Sequence, residues 1–146
     1  MYLDSAIIVK LLVDEPDTEF LQDALIGKSL CSSELAVPEV LSALFAKERN
    51  KLISFRQRER AWRIFNERVQ AEEILLHPLT GDVLRKATRI LELCHPKVAL
   101  RPLDAIHTAA CDLSQDFPLC TTDRRMREAA GLLGIPVFPA DDIALS

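Results

Sequence analysis

The sequence predicts an α/β domain with a short, mostly parallel central sheet flanked by helices. Three observations lead there. Short apolar segments suited to strands alternate with longer segments whose apolar residues recur every three or four positions. Proline, glycine and capping residues fall at the joints between them. The 146 residues, 49% hydrophobic and 27% charged, fit one domain, 1–146, able to bury its own core.

Met1 to Leu3 reads as a first strand ending at Asp4, and Ser5 is placed to cap a helix carrying Ile7, Ile8, Leu11 and Leu12. Pro16 opens a second helix with Phe20, Leu21, Leu25 and Ile26 at helical spacing, and Gly27 ends it. Ser29 to Ser32 suits a brief strand. A helix is expected from about Ser33 to Asn50, with Pro38 starting or kinking its regular part. In the next helix Phe55, Trp62, Phe65 and Val69 share one face, opposite Arg56, Arg60 and Arg63. Ile74 to Leu79 is a strand candidate, and Thr80-Gly81-Asp82 begins a helix that His95-Pro96 stops. Pro102 suits the first turn of a helix containing Asp104. Phe117 to Cys120 is the fourth strand, Arg124 to Leu133 a helix closed by Gly134, and Ile135 to Phe138 the last strand.

The composition excludes several classes. The chain has apolar residues throughout, so it is not intrinsically disordered. Its longest stretch without a charged residue, Ala129 to Ala140, contains two glycines and two prolines, whereas a membrane-spanning helix needs roughly 20 apolar residues. Asp4 interrupts the start too early for a secretory leader. Cys31, Cys94, Cys111 and Cys120 form no Cys-x-x-Cys pair, so they read as reduced, mostly buried thiols of a cytoplasmic protein. The net charge is −4, yet seven basic residues between Lys47 and Arg63 stand against Glu48 and Glu59 alone. Such a patch attracts RNA phosphates or an acidic partner protein, although charged helix faces are often simply solvated.

Two strands end in aspartate, at Asp4 and Asp123. In open α/β sheets ligands bind beyond the carboxyl ends of strands, so neighbouring strands would bring these two together. Glu39 and Asp104 interrupt apolar patterns near helix starts. Each acid alone has an ordinary reading as a turn former or a helix N-terminal charge. Four acids sharing one crevice would repel and need a counter-charge. A set of carboxylates without histidine or cysteine suits Mg²⁺ or Mn²⁺ rather than Zn²⁺.

At this point the sequence resembles the PIN-domain ribonucleases, and most of all the VapC-type toxins of bacterial toxin–antitoxin pairs. The resemblance lies in Tyr2-Leu3-Asp4-Ser5-Ala6, in Pro38-Glu39-Val40-Leu41-Ser42-Ala43-Leu44, in Pro102 through Ala110, and in Leu119 through Met126, in that order across nearly the whole chain. It implies a PIN-like fold and a metal-dependent endoribonuclease, leaving 5′-phosphate and 3′-hydroxyl ends. The acidic site would fall on Asp4, Glu39, Asp104 and Asp123. Asp4, Asp104 and Asp123 would hold Mg²⁺ (or Mn²⁺), Glu39 would be a further ligand or orient the attacking water, and Ser5 and Thr122 would support the site. Pro38 directly before Glu39 departs from the family pattern and bears on how that helix turn sits. The resemblance also implies a homodimer, bound by a small cognate antitoxin; with no spanning segment in the sequence, no membrane association is expected.

Other residues have quieter readings. His107, one turn after Asp104, is read as a packed helix histidine rather than a base or ligand. His77 and His95 flank prolines and are read as surface turn residues, and Trp62 as core rather than an RNA stacking platform. Arg124 and Arg125 either reach a scissile phosphate or cover their helix. The alternatives are an RNA-processing PIN nuclease without an antitoxin and a Mg²⁺-binding receiver-type signalling domain. The latter normally carries an acidic pair after its first strand and a Lys-Pro after its last; here Asp4 stands alone and residues 135–139 contain no lysine.

Overall fold

The computed structural model describes residues 1–140; the last six positions of the expected domain lie outside the described residues. Its elements are β1 (Tyr2–Leu3), α1 (Ser5–Leu12), α2 (Thr18–Leu25), β2 (Leu30–Ser33), α3 (Ala36–Arg49), α4 (Phe55–Gln70), β3 (Ile74–His77), α5 (Gly81–Cys94), α6 (Pro102–Ser114), β4 (Leu119–Cys120), α7 (Arg124–Leu133) and β5 (Val137–Phe138). The strands form one parallel sheet in the order β3-β2-β1-β4-β5. This is the short parallel sheet flanked by helices that the alternating pattern predicts. The order differs from the 2-1-3-4-5 arrangement of receiver-type domains, which removes that alternative.

Successive strand residues face opposite sides of a sheet, and the two cores follow from this. Tyr2, Cys31 and Leu119 face one side and pack with Val83, Ile90, Ala109 and Met126 from α5, α6 and α7. Leu3, Leu30 and Cys120 face the other and pack with Ile7, Leu21, Leu44 and Phe65 from α1 to α4. Strands buried on both faces have no room for polar alternation, which is why they read as short apolar runs.

Several boundaries differ from the sequence reading for local reasons. Asp4, not Ser5, caps α1, its carboxylate accepting the Ile7 N–H at 2.8 Å. Ser33 ends β2 instead of opening α3, and its hydroxyl accepts the Leu35 N–H at 3.1 Å. Pro38 is the third residue of α3, inside the first turn, where its missing N–H has no intrahelical partner to lose. β4 and β5 are two residues each, and the prolines before them still supply carbonyls: Pro118 to the Tyr2 N–H and Pro136 to the Leu119 N–H. On α4, Phe65 is fully buried and Trp62 half-buried, while Phe55 is exposed and lies under the Arg58 guanidinium. His95 is exposed at the end of α5, but His77 is partly buried at the end of β3 and bonds Asp116. All four cysteines are buried and free. Among the described residues no helix is long and apolar enough to cross a membrane.

Phe65 is the largest apolar side chain of α4 that solvent does not reach. Its replacement by alanine should cost about 3–5 kcal/mol by removing burial and leaving a cavity. Equilibrium urea unfolding checks this: a midpoint unchanged from wild type would mean that α4 is not part of the cooperative core.

Candidate active site

The sheet reverses direction of growth between β1 and β4, and the crevice at the carboxyl ends of those two strands is where such folds bind ligands. Asp4 leaves β1 there, its N–H bonded to the Cys120 carbonyl at 3.1 Å. Its side chain is 3% exposed. One carboxylate oxygen accepts the Ile7 N–H and the other accepts the Thr121 hydroxyl. Thr121 Oγ1 also accepts the Asp123 N–H at 3.1 Å, and Asp123 caps α7 by accepting the Met126 N–H at 3.0 Å. The first turn of α3 contributes Glu39 and the first turn of α6 contributes Asp104. With Ser5, Arg101 and His107, these acids line a cleft of about 170 Å³.

The charges are answered unevenly. Arg101 reaches Asp104 through Nε at 2.6 Å and Asp123 through Nη2 at 3.0 Å, and the Asp104 contact holds its guanidinium above the ordinary arginine value. His107 is buried beneath Glu39, with Nε2 2.5 Å from Glu39 Oε1 and Nδ1 2.8 Å from the Tyr2 hydroxyl. Ser5 donates to the same Oε1 at 2.7 Å. Burial alone would lift the Glu39 carboxyl, but the bond and charge from His107, with Ser5 and Arg101, outweigh it and hold Glu39 below the usual carboxylate range. At Asp4 burial wins: it raises the carboxyl although the Thr121 and Ile7 bonds oppose it.

All four acids read from the sequence line this cleft, as does Ser5. The supporting hydroxyl after β4 belongs to Thr121, however; the expected Thr122 has no hydrogen bond to any of the acids, because the chain alternates sides there and Thr121 is the inward residue. Arg124 turns to Glu128 at 2.8 Å and Arg125 is exposed, so neither lines the cleft. Arg56, Arg60 and Arg63 sit together on the outer face of α4, around a shallow depression shared with Trp62. His107 is packed, as its helix position suggests, and it also anchors Glu39. Arg101 was missed, although its place three residues before Asp104, at the start of a helix, is an ion-pair spacing.

The donor set fits a hard divalent cation. Four carboxylates and no free imidazole or thiol line the cleft, and the Arg101 bridge shows that Asp104 and Asp123 take up a positive partner.

The chain is similar to known proteins in sequence and in fold. The PIN domain family matches residues 1–132. Ribonuclease VapC46 of Mycobacterium tuberculosis is 37% identical over 143 residues, covering 94% of this chain and 95% of the relative. The crystal structure of FitAcB from Neisseria gonorrhoeae superposes with a TM-score of 0.66 at 19% identity, covering 95% of this chain and 96% of that one; it shows the same fold.

Because burial raises the Asp4 carboxyl, its ionised form is the costly one in the folded protein, and stability falls as pH climbs above the unfolded aspartate value near 4. Metal-free Asp4→Asn should therefore melt at or above wild type at pH 7, and the difference should shrink below pH 4. Calorimetry across that range checks it. A variant less stable than wild type at pH 7 would show that the Thr121 and Ile7 bonds outweigh desolvation.

Proposed function

This chain belongs to the PIN domain family, and from that premise we propose that it is a divalent-metal-dependent endoribonuclease, the toxin of a toxin–antitoxin pair. The single observation that carries the reading is the convergence of Asp4, Glu39, Asp104 and Asp123 on one cleft at the sheet reversal. The 37% identity to a relative named as a ribonuclease supports it. The proposed cofactor is Mg²⁺ or Mn²⁺, held by Asp4, Asp104 and Asp123. Bound there, it would supply charge for the phosphate and acidify the attacking water.

The chain's own groups do the rest. Thr121 and the α1 N-terminus hold Asp4 in one orientation. Ser5 and His107 both bond Glu39 Oε1. That fixes the carboxylate and leaves its other oxygen to position the water and take its proton. Lowered below the ordinary range, Glu39 is ionised at neutral pH and ready to accept. Arg101, exposed at the rim, can leave the acids and meet the scissile phosphate.

The proposed partners are RNA, a second copy of the chain and a cognate antitoxin, in the cytoplasm. Arg101 supports the antitoxin reading: a guanidinium fits against Asp104 and Asp123, so a basic side chain from a partner tail would compete with metal there. A nuclease whose activity is indifferent to the product of the neighbouring gene would instead be an RNA-processing enzyme.

The deciding experiment is incubation with a panel of RNAs with and without Mn²⁺, followed by sequencing of the cut ends. Asp104→Asn and Asp123→Asn should each lower cleavage by about 100-fold or more and abolish the rise in melting temperature that Mn²⁺ gives wild type. Full cleavage by both variants would reject the site. Separately, reversing the charge of Arg56, Arg60 and Arg63 together should weaken binding of RNA or antitoxin more at low salt than at high salt. Unchanged affinity for both at low salt would make this face a solvated surface only.

A further inference from the structure

A second cluster of metal-binding groups lies apart from the carboxylate cleft and shares no residue with it. Cys31 is the second residue of β2, His77 ends the neighbouring β3, and Asp116 lies in the turn between α6 and β4. His77 Nε2 is 2.7 Å from Asp116 Oδ2, and Cys31 Sγ is 3.4 Å from the same oxygen. Among the described residues these three form the group whose ligand atoms all fall within 4.8 Å of one another. We propose that Cys31, His77 and Asp116 bind a zinc ion.

The chemistry favours Zn²⁺ over the hard cation of the other cleft. Thiolate, imidazole and carboxylate are all ordinary zinc donors at about 2.0–2.3 Å. With those bond lengths a tetrahedral ion would hold sulfur and oxygen about 3.5 Å apart and nitrogen and oxygen about 3.4 Å apart; Sγ and Oδ2 already stand at 3.4 Å, while the 2.7 Å His77–Asp116 hydrogen bond has to open for the ion to enter. A thiolate and a carboxylate together neutralise the two positive charges, so the filled site suits its half-buried setting. His77 and Asp116 keep some exposure, which leaves room for a water as fourth ligand. An open cleft of about 420 Å³, bordered by Cys31, Asp116 and the acids Glu72 and Glu73, gives the ion a route in.

Without an ion the thiol donates to Asp116 and to the Met1 carbonyl; loss of that thiol proton on metal binding is what distinguishes a zinc site from a plain hydrogen-bonded cluster. Without metal, burial, with Asp116 alongside, pushes the Cys31 thiol up to about 12, so it is protonated at neutral pH. Binding must expel that proton, and affinity should rise with pH. Burial works to raise Asp116 as well, but the His77 and Cys31 bonds hold it below the usual range, so it is already ionised.

The test uses the whole chain freed of metal by chelation, with Co²⁺ as an optical probe and Zn²⁺ as competitor. One equivalent of Co²⁺ should give the near-ultraviolet band of a cobalt–thiolate bond, release a proton, and be displaced by one equivalent of Zn²⁺. Cys31→Ser should abolish the band, and His77→Ala and Asp116→Asn should each weaken Zn²⁺ binding about tenfold or more. Asp104→Asn should leave all of this unchanged. The proposal is overturned if wild type shows no thiolate band at millimolar Co²⁺, if the band survives in Cys31→Ser, or if it disappears in Asp104→Asn. Were Cys31→Ser to misfold, the wild-type spectrum with the His77 and Asp116 variants would still decide.

Discussion

Carboxylates that leave water together carry two costs, desolvation and mutual repulsion, and both grow as the acids approach. The cleft at the end of β1 and β4 is organised around holding four of them despite this. Asp4 is nearly sealed from solvent, yet each of its oxygens has a donor, one from the α1 backbone and one from Thr121. Asp123 is held in the same way by the start of α7. Asp4, directly after β1, and Asp123, three residues past β4, are therefore both helix caps, and the residues that line the cleft also stabilise the turns that present it.

The opposite wall solves the problem with side chains. Glu39 leans on His107, whose other nitrogen meets the Tyr2 hydroxyl. Burial keeps that hydroxyl protonated. Tyr2 belongs to β1, so the strand that delivers Asp4 to the cleft also supports the histidine that steadies Glu39. A chain of contacts runs from the first strand through the core to the rim, and every buried side-chain polar atom among the described residues has a partner.

Much of this was legible in the sequence, because it depends on local rules. Aspartates at the ends of apolar segments, a proline opening α6 and a Thr-Gly-Asp helix start are short-range signals, and the fold class and the four acids followed from them. What escaped depends on direction or distance. Whether Thr121 or Thr122 faces inward turns on one step of strand alternation, and a two-residue strand is too short to reveal its phase. The His77–Asp116 contact joins residues far apart in sequence, through a sheet order that no local pattern encodes. Ser5 looked like a cap because serine is a good one; Asp4 took that place because α1 already begins at Ser5 and the extended Asp4 accepts the Ile7 N–H, which leaves Ser5 to bond Glu39.

The counter-charges also differ in how firmly they are held. Asp4 has fixed donors from backbone and core, so its orientation persists whatever occupies the cleft. Asp104 and Asp123 are met by Arg101, whose side chain is 58% exposed. An ion pair so open to water contributes at most about 1 kcal/mol and can be exchanged for another cation at small cost. The cleft thus has a permanent half and a replaceable half. A divalent ion or a basic side chain entering the cleft would meet a preformed Asp4 on one side. On the other it would have only to displace a surface arginine from two carboxylates already in place.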